Sequence, residues 1–167
     1  MNLKTFIVIG CIFSACAKPP AYVKSADDVT KSFSEKMLRE NALISLGAGG
    51  YYHEKSVNAL YADYELFQPY SKEEAKALLT QIIPQFVDHI NTSEEIRPYL
   101  QTYPVTSDQV SISIAFFDQD HNPYDKLAQI HLYQGKLYYS TYDREKKAYL
   151  AVENEKYKLE KSPTFLK

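Results

Sequence analysis

Ser71-Lys72-Glu73-Glu74-Ala75-Lys76-Ala77-Leu78-Leu79-Thr80-Gln81-Ile82-Ile83-Pro84-Gln85-Phe86-Val87-Asp88-His89-Ile90 carries the strongest periodic signal in the chain. Its apolar residues, Ala75, Leu78, Leu79, Ile82, Ile83, Phe86, Val87 and Ile90, recur at steps of three and four, so one face of a helix is apolar over about five turns. Ser71 with Glu74 three residues on forms a capping box that starts it. Pro84 removes one backbone donor, which predicts a kink or a restart near Ile83.

Outward from this helix the period changes from 3.6 to two. Upstream, Leu60, Ala62, Tyr64 and Leu66 alternate with Tyr61, Asp63 and Glu65, which predicts a strand over residues 57–67. A further strand is expected over residues 43–52, where Gly47-Ala48-Gly49-Gly50 suggests bulging or close backbone approach. Before it, Ser25 and Asp28 resemble a capping box, and Val29, Phe33, Met37 and Leu38 give a helix to about Asn41 its apolar stripe.

Downstream, residues 94–100 suggest a short helical turn interrupted by Pro98, and four alternating strands follow from Val110. Gln134-Gly135 fits a two-residue hairpin, which sets His131 opposite Tyr138 and Gln129 opposite Ser140. Pairing Tyr142 with Tyr149 keeps the next hairpin in the same register and assigns Ile130, Leu132, Leu137, Tyr139, Leu150 and Val152 to the core. The order α-β-β-α-β-β-β-β predicts an α+β domain, an antiparallel sheet with two amphipathic helices on one face. Cystatin-like and nuclear-transport-factor-like cones resemble this layout, a likeness that assigns no function.

The N-terminus carries a different kind of information. Lys4, the apolar run of residues 5–15 and then Cys16 read as a secretion signal ending in a lipobox, and the segment resembles that of a bacterial lipoprotein. The resemblance implies cleavage before Cys16, lipidation of that residue and a membrane partner reached through the lipid anchor. Ala17, with no Asp after the cysteine, resembles the outer-membrane sorting pattern. Phe13 departs from the Leu, Val or Ile usual in a lipobox; Cys11 has a better local fit, after Val8-Ile9-Gly10, but a hydrophobic run below the roughly 7–15 residues a signal core needs. The expected organisation is a signal peptide over 1–15, a lipidated tether over 16–24, one domain over 25–161 and a tail over 162–167. Within the expected domain there is no cysteine, so its stability rests on packing rather than disulfides. The combination EIRPYL (residues 95–100), YPVT (103–106) and YYSTYD (138–143) is similar to small bacterial lipoproteins that carry no activity to transfer.

Charge and motif content narrow the function further. A net charge of −2, without a basic patch interleaved with aromatics, argues against nucleic acid. Asp118, Asp120 and Asn122 space their oxygens as in a calcium loop, yet Pro123 stands where Gly is needed and Gln129 where a bidentate Glu belongs, so a polar turn explains them equally. His53-Glu54 lacks the second His of a metalloprotease helix, the glycine segment lacks a P-loop's Lys-Ser/Thr, and no nucleophile elbow occurs. No catalytic residue and no cofactor is implied. Arg97, one of three arginines, is a candidate loop residue whose simplest role is to tie the crossover to carbonyls or a carboxylate.

There are 15 tyrosines and no tryptophan. His131, Tyr133, Tyr138, Tyr142 and Tyr149 share the sheet face opposite the core, with Gln129, Ser140 and Ser111 between them. Cross-strand pairs account for such a face structurally, while a protein or glycan partner accounts for it functionally. The expectation is a non-enzymatic binding or scaffolding lipoprotein of the cell envelope, docking its partner on the tyrosine face rather than at the glycine segment. The alternative is a metal-dependent or hydrolase-like envelope enzyme using His53, Asp118 or Asp120.

Overall fold

The computed structural model describes residues 18–157; Cys11, Cys16 and the expected tail over 162–167 lie outside them. Two helices, α1 (Ala21–Asn41) and α2 (Lys72–Thr92), accompany six strands: β1 (Ile44–His53), β2 (Ser56–Leu66), β3 (Val110–Phe116), β4 (Gln129–Tyr133), β5 (Lys136–Asp143) and β6 (Ala148–Lys156). The strands form one sheet in sequence order, and this is an α+β fold. Every neighbouring pair is antiparallel except β2–β3, which is parallel. The exception follows from connectivity: α2 carries the chain back about 30 Å along β2, so β3 starts from the same end. Among the described residues no helix is long and apolar enough to cross a membrane.

The capping box at Ser71 is formed in both directions, with Ser71 N–H donating to Glu74 Oε2 at 2.8 Å and Glu74 N–H to Ser71 Oγ at 3.2 Å. Of the two outcomes expected at Pro84, a restart does not occur: α2 runs unbroken to Thr92. Ile82, Ile83, Phe86 and Val87 are buried on both sides of the proline, and that packing holds the helix where one donor is missing. α1 also departs from expectation. It begins at Ala21, directly after Pro20, with no side-chain cap, so Ser25 is interior and residues 21–24 are helix rather than tether. Tyr22 makes an edge contact with Tyr52 of β1 at 5.5 Å, a tertiary contact that rewards the extra turn.

Both helices cover one face of the sheet. Phe33 of α1 and Phe86 of α2 meet at 4.7 Å between ring centres, over Tyr64, Ile112, Ile114, Ile130, Leu132 and Leu137. Tyr64 is fully buried; its hydroxyl reaches Ser34 Oγ at 3.3 Å, and burial pushes its pKa up to about 12. Leu38, placed beside the apolar stripe of α1, is exposed.

The expected registers His131↔Tyr138, Gln129↔Ser140 and Tyr142↔Tyr149 are all present. The assignment of Leu150 and Val152 to the core is overturned, since they are 38 % and 62 % exposed. A register shift between Tyr139 and Ser140 inserts one residue into β6, so Tyr139 pairs with Glu153 and Leu137 with Glu155. Side chains beyond the bulge therefore change faces. Glu153 and Glu155 meet α2 through Lys72 at 2.6 Å and Lys76 at 2.8 Å, and Tyr139 Oη donates to Glu155 Oε1. The edge of the core is closed by ion pairs rather than by leucine and valine.

Candidate functional site

β3 is buried on both faces. Ile112 and Ile114 face the helices, but Ser111, Ser113 and Ala115 face away from them and are still only 6 %, 6 % and 5 % exposed. Among the described residues neither α1 nor α2 lines that side. The neighbouring strands do, because the sheet is concave there and its margins rise beside β3. Two clefts open on this face, neither lined by α1 or α2. The larger, about 310 Å³, has Ser113 and Ala115 as its floor, Leu46 and Asp63 on one wall, and Gln129, His131 and Tyr149 on the other, with Phe117 at one end. The smaller, about 220 Å³, continues past Ser111 between Tyr51 and Tyr133.

The glycine segment makes one wall possible. A bulge between Ser45 and Gly47 turns Leu46 out onto the concave face. A Cβ at Gly49 would come within 3.3 Å of the Tyr61 hydroxyl, so the glycine lets that ring lie close against β1. A Cβ at Gly47 would meet nothing within 4 Å. Leu46, beside the glycine segment of β1, and Tyr149 of β6 thus line one cleft.

Most polar groups on this face are satisfied by one another. His131 Nε2 lies 2.8 Å from Ser111 Oγ, and Gln129 Nε2 donates to Ser113 Oγ at 2.6 Å. Burial holds His131 below the usual histidine pKa, so it is a neutral imidazole at pH 7. Tyr142 and Tyr149 make an edge contact at 5.3 Å, and Tyr51 and Tyr61 meet at 5.4 Å.

Asp63 is the exception. It sits in the middle of β2, paired with Ser113 and Gly47, and half-buried in the larger cleft. Burial raises its pKa above the usual carboxylate range with no opposing interaction. It enters none of the ion pairs among the described residues. Sequence reading passed over it because alternation alone marks it as an outward residue. The available signal was an aspartate at the centre of a strand, between Ala62 and Tyr64, where that residue type is depleted.

The remaining candidates lie elsewhere. Asp118 Oδ1 accepts from Asp120 N–H at 2.9 Å and Asn122 N–H at 2.8 Å, so the carboxylate closes its own turn and these bonds hold its pKa low. Asp120 and Asn122 are exposed on that turn, and His53 is exposed at the end of β1. Among the described residues no group of three His, Cys, Asp or Glu side chains is placed to hold a metal ion. Arg97 stacks 4.9 Å over Tyr103 and donates to the Asn91 carbonyl at 3.4 Å, bracing the crossover loop.

Chemically, the larger cleft offers aromatic and apolar walls, a hydrogen-bonded polar floor and one carboxylate, Asp63, without a counter-charge among the described residues. The Ser111–His131 contact has nucleophile–base spacing, but among the described residues no carboxylate orients the other ring nitrogen. No protein-family model matches the chain, and neither does a curated protein or a solved structure.

Proposed function

We propose that this protein is a non-enzymatic binding module of the bacterial cell envelope, anchored through Cys16, whose ligand seats in the larger cleft on the concave face of the sheet. The observation that carries this reading is the concavity that neither α1 nor α2 lines. Its 310 Å³ is at the lower end of the range for small-molecule sites, and it combines apolar walls with a few convergent polar groups. A purely structural tyrosine sheet has no need of a hollow floored by Ser113 and Ala115 or of an uncompensated carboxylate within it. The anchor rests on the N-terminal resemblance alone, and metabolic labelling with a fatty-acid probe tests it: Cys16→Ala abolishes incorporation, whereas incorporation lost only in Cys11→Ala moves the anchor.

Gly47→Phe provides the test of the cleft, because an added side chain there enters open space rather than neighbouring atoms. The full chain in non-ionic detergent is titrated with N-acetylglucosamine, phenethylamine, 2-phenylethanol and phenylacetate while backbone amide shifts are followed. At least one compound is expected to shift the amides of Asp63, Ser113 and His131 saturably, and Gly47→Phe to abolish that response. A panel that leaves those amides unmoved removes the binding-module reading. The rival reading, a serine hydrolase built on Ser111 and His131, predicts covalent labelling by a fluorophosphonate that is lost in Ser111→Ala.

A further inference from the structure

Resting on that cleft, we infer that Asp63 is the specificity determinant for a small organic cation, an ammonium carried on an apolar or aromatic body. Ser111, Ser113, Gln129 and His131 already bond to one another, so a ligand replacing those contacts gains little. Asp63 is the charged group of the larger cleft, and it has gained no partner in exchange for its lost hydration. Several acids elsewhere do have a cation beside them, Asp28 with Lys24, Glu153 with Lys72, Glu155 with Lys76 and Asp125 with Arg144, whereas the lining of the larger cleft holds no lysine or arginine. A ligand ammonium would supply the missing charge and donors together. The walls suit the rest of such a molecule, since Leu46 and Phe117 accept an apolar body and the Tyr149 and Phe117 rings favour a cation near their faces. An anion would meet Asp63 with no cation to receive it. The hollow is sized for a small molecule rather than for a protein surface.

Three near-isosteric probes separate charge from shape: phenethylamine, 2-phenylethanol and phenylacetate, each titrated against the full chain in non-ionic detergent. Phenethylamine is expected to bind about tenfold or more tightly than 2-phenylethanol, and phenylacetate more weakly than either. Asp63→Asn keeps the shape and removes the charge, and it should bring the amine down to the alcohol while leaving the alcohol unchanged. Equal binding of amine and alcohol, or an amine preference that survives Asp63→Asn, overturns the cation assignment and leaves the cleft reading standing. Absence of binding by all three, with N-acetylglucosamine also silent, overturns both. Because Asp63→Asn removes an uncompensated charge, its fold is retained, and its amide spectrum checks this directly.

Discussion

The two faces of the sheet bury β3 by opposite means. On the helical side, Ile112 and Ile114 disappear beneath large rings and branched chains that interdigitate, chiefly Phe33, Phe86 and Tyr64. On the concave side, Ser111, Ser113 and Ala115 disappear because neighbouring strands rise around them, leaving hollows of about 310 and 220 Å³ above small side chains. The first face is filled and the second is sheltered but open. Stability should therefore be concentrated on one face and selectivity on the other.

The largest test of this contrast is Phe86→Ala, which empties the meeting point of the two helices and should cost about 3–5 kcal/mol in urea unfolding. A cost comparable to that of an exposed residue would show that the helical face is not the stability centre. Next is Tyr139→Phe, which keeps the ring beneath α2 and removes its bond to Glu155. A loss of about 1 kcal/mol is expected, smaller than for a fully enclosed charged acceptor because Glu155 is partly in solvent. No loss would mean that the bulge-set closure contributes geometry alone. Truncating Tyr149 on the concave rim should likewise cost no more than about 1 kcal/mol, the scale of its cross-strand pair with Tyr142.

Asp63→Asn should act in the opposite direction and raise the thermal midpoint at pH 7. The sign follows from linkage: burial lifts the folded-state pKa of Asp63 above its unfolded value, so the folded protein keeps that proton to higher pH. The resulting cost develops as pH rises from the ordinary aspartate range through the folded pKa and is fully present above it. The advantage of the variant should consequently vanish as pH falls back through that window. A midpoint unchanged or lowered at pH 7 would show that Asp63 is compensated. Smallest of all, Leu150→Ser and Val152→Ser should each stay within about 0.5 kcal/mol of wild type by urea unfolding, since both side chains are already exposed, Val152 at the bulge and Leu150 before it on the outermost strand.

Legibility differed between the two faces for a physical reason. Period and capping are local, so the residues that define α2, its start at Ser71 and the hairpin registers from His131 to Tyr149 were readable from spacing alone. The bulge in β6 was not, because one inserted residue leaves the alternation on either side intact while taking Val152 out of the register and setting Glu153 and Glu155 opposite Tyr139 and Leu137. The start of α1 was misplaced by four residues because a contact with Tyr52, remote in sequence, outweighed the local signal at Ser25. Of the candidate site, His131, Tyr133, Tyr138, Tyr142 and Tyr149 were legible as one face, and Tyr149 and His131 do line the larger cleft. Asp63 and Leu46 were not, since they join those residues only through the parallel pairing of β2 with β3 and the curvature of the sheet.

By itself the sequence determined which residues are helix and strand, which hairpins close and which side of each regular strand is apolar. Those properties depend on neighbours three, four or two positions away. Tertiary structure alone decided that the central pair runs parallel, that the edge of the core is closed by lysine–glutamate pairs, and that a glycine strand and a tyrosine strand face each other across one carboxylate. Each of these depends on how sheet curvature and a helical crossover bring distant segments together, and no local period records that.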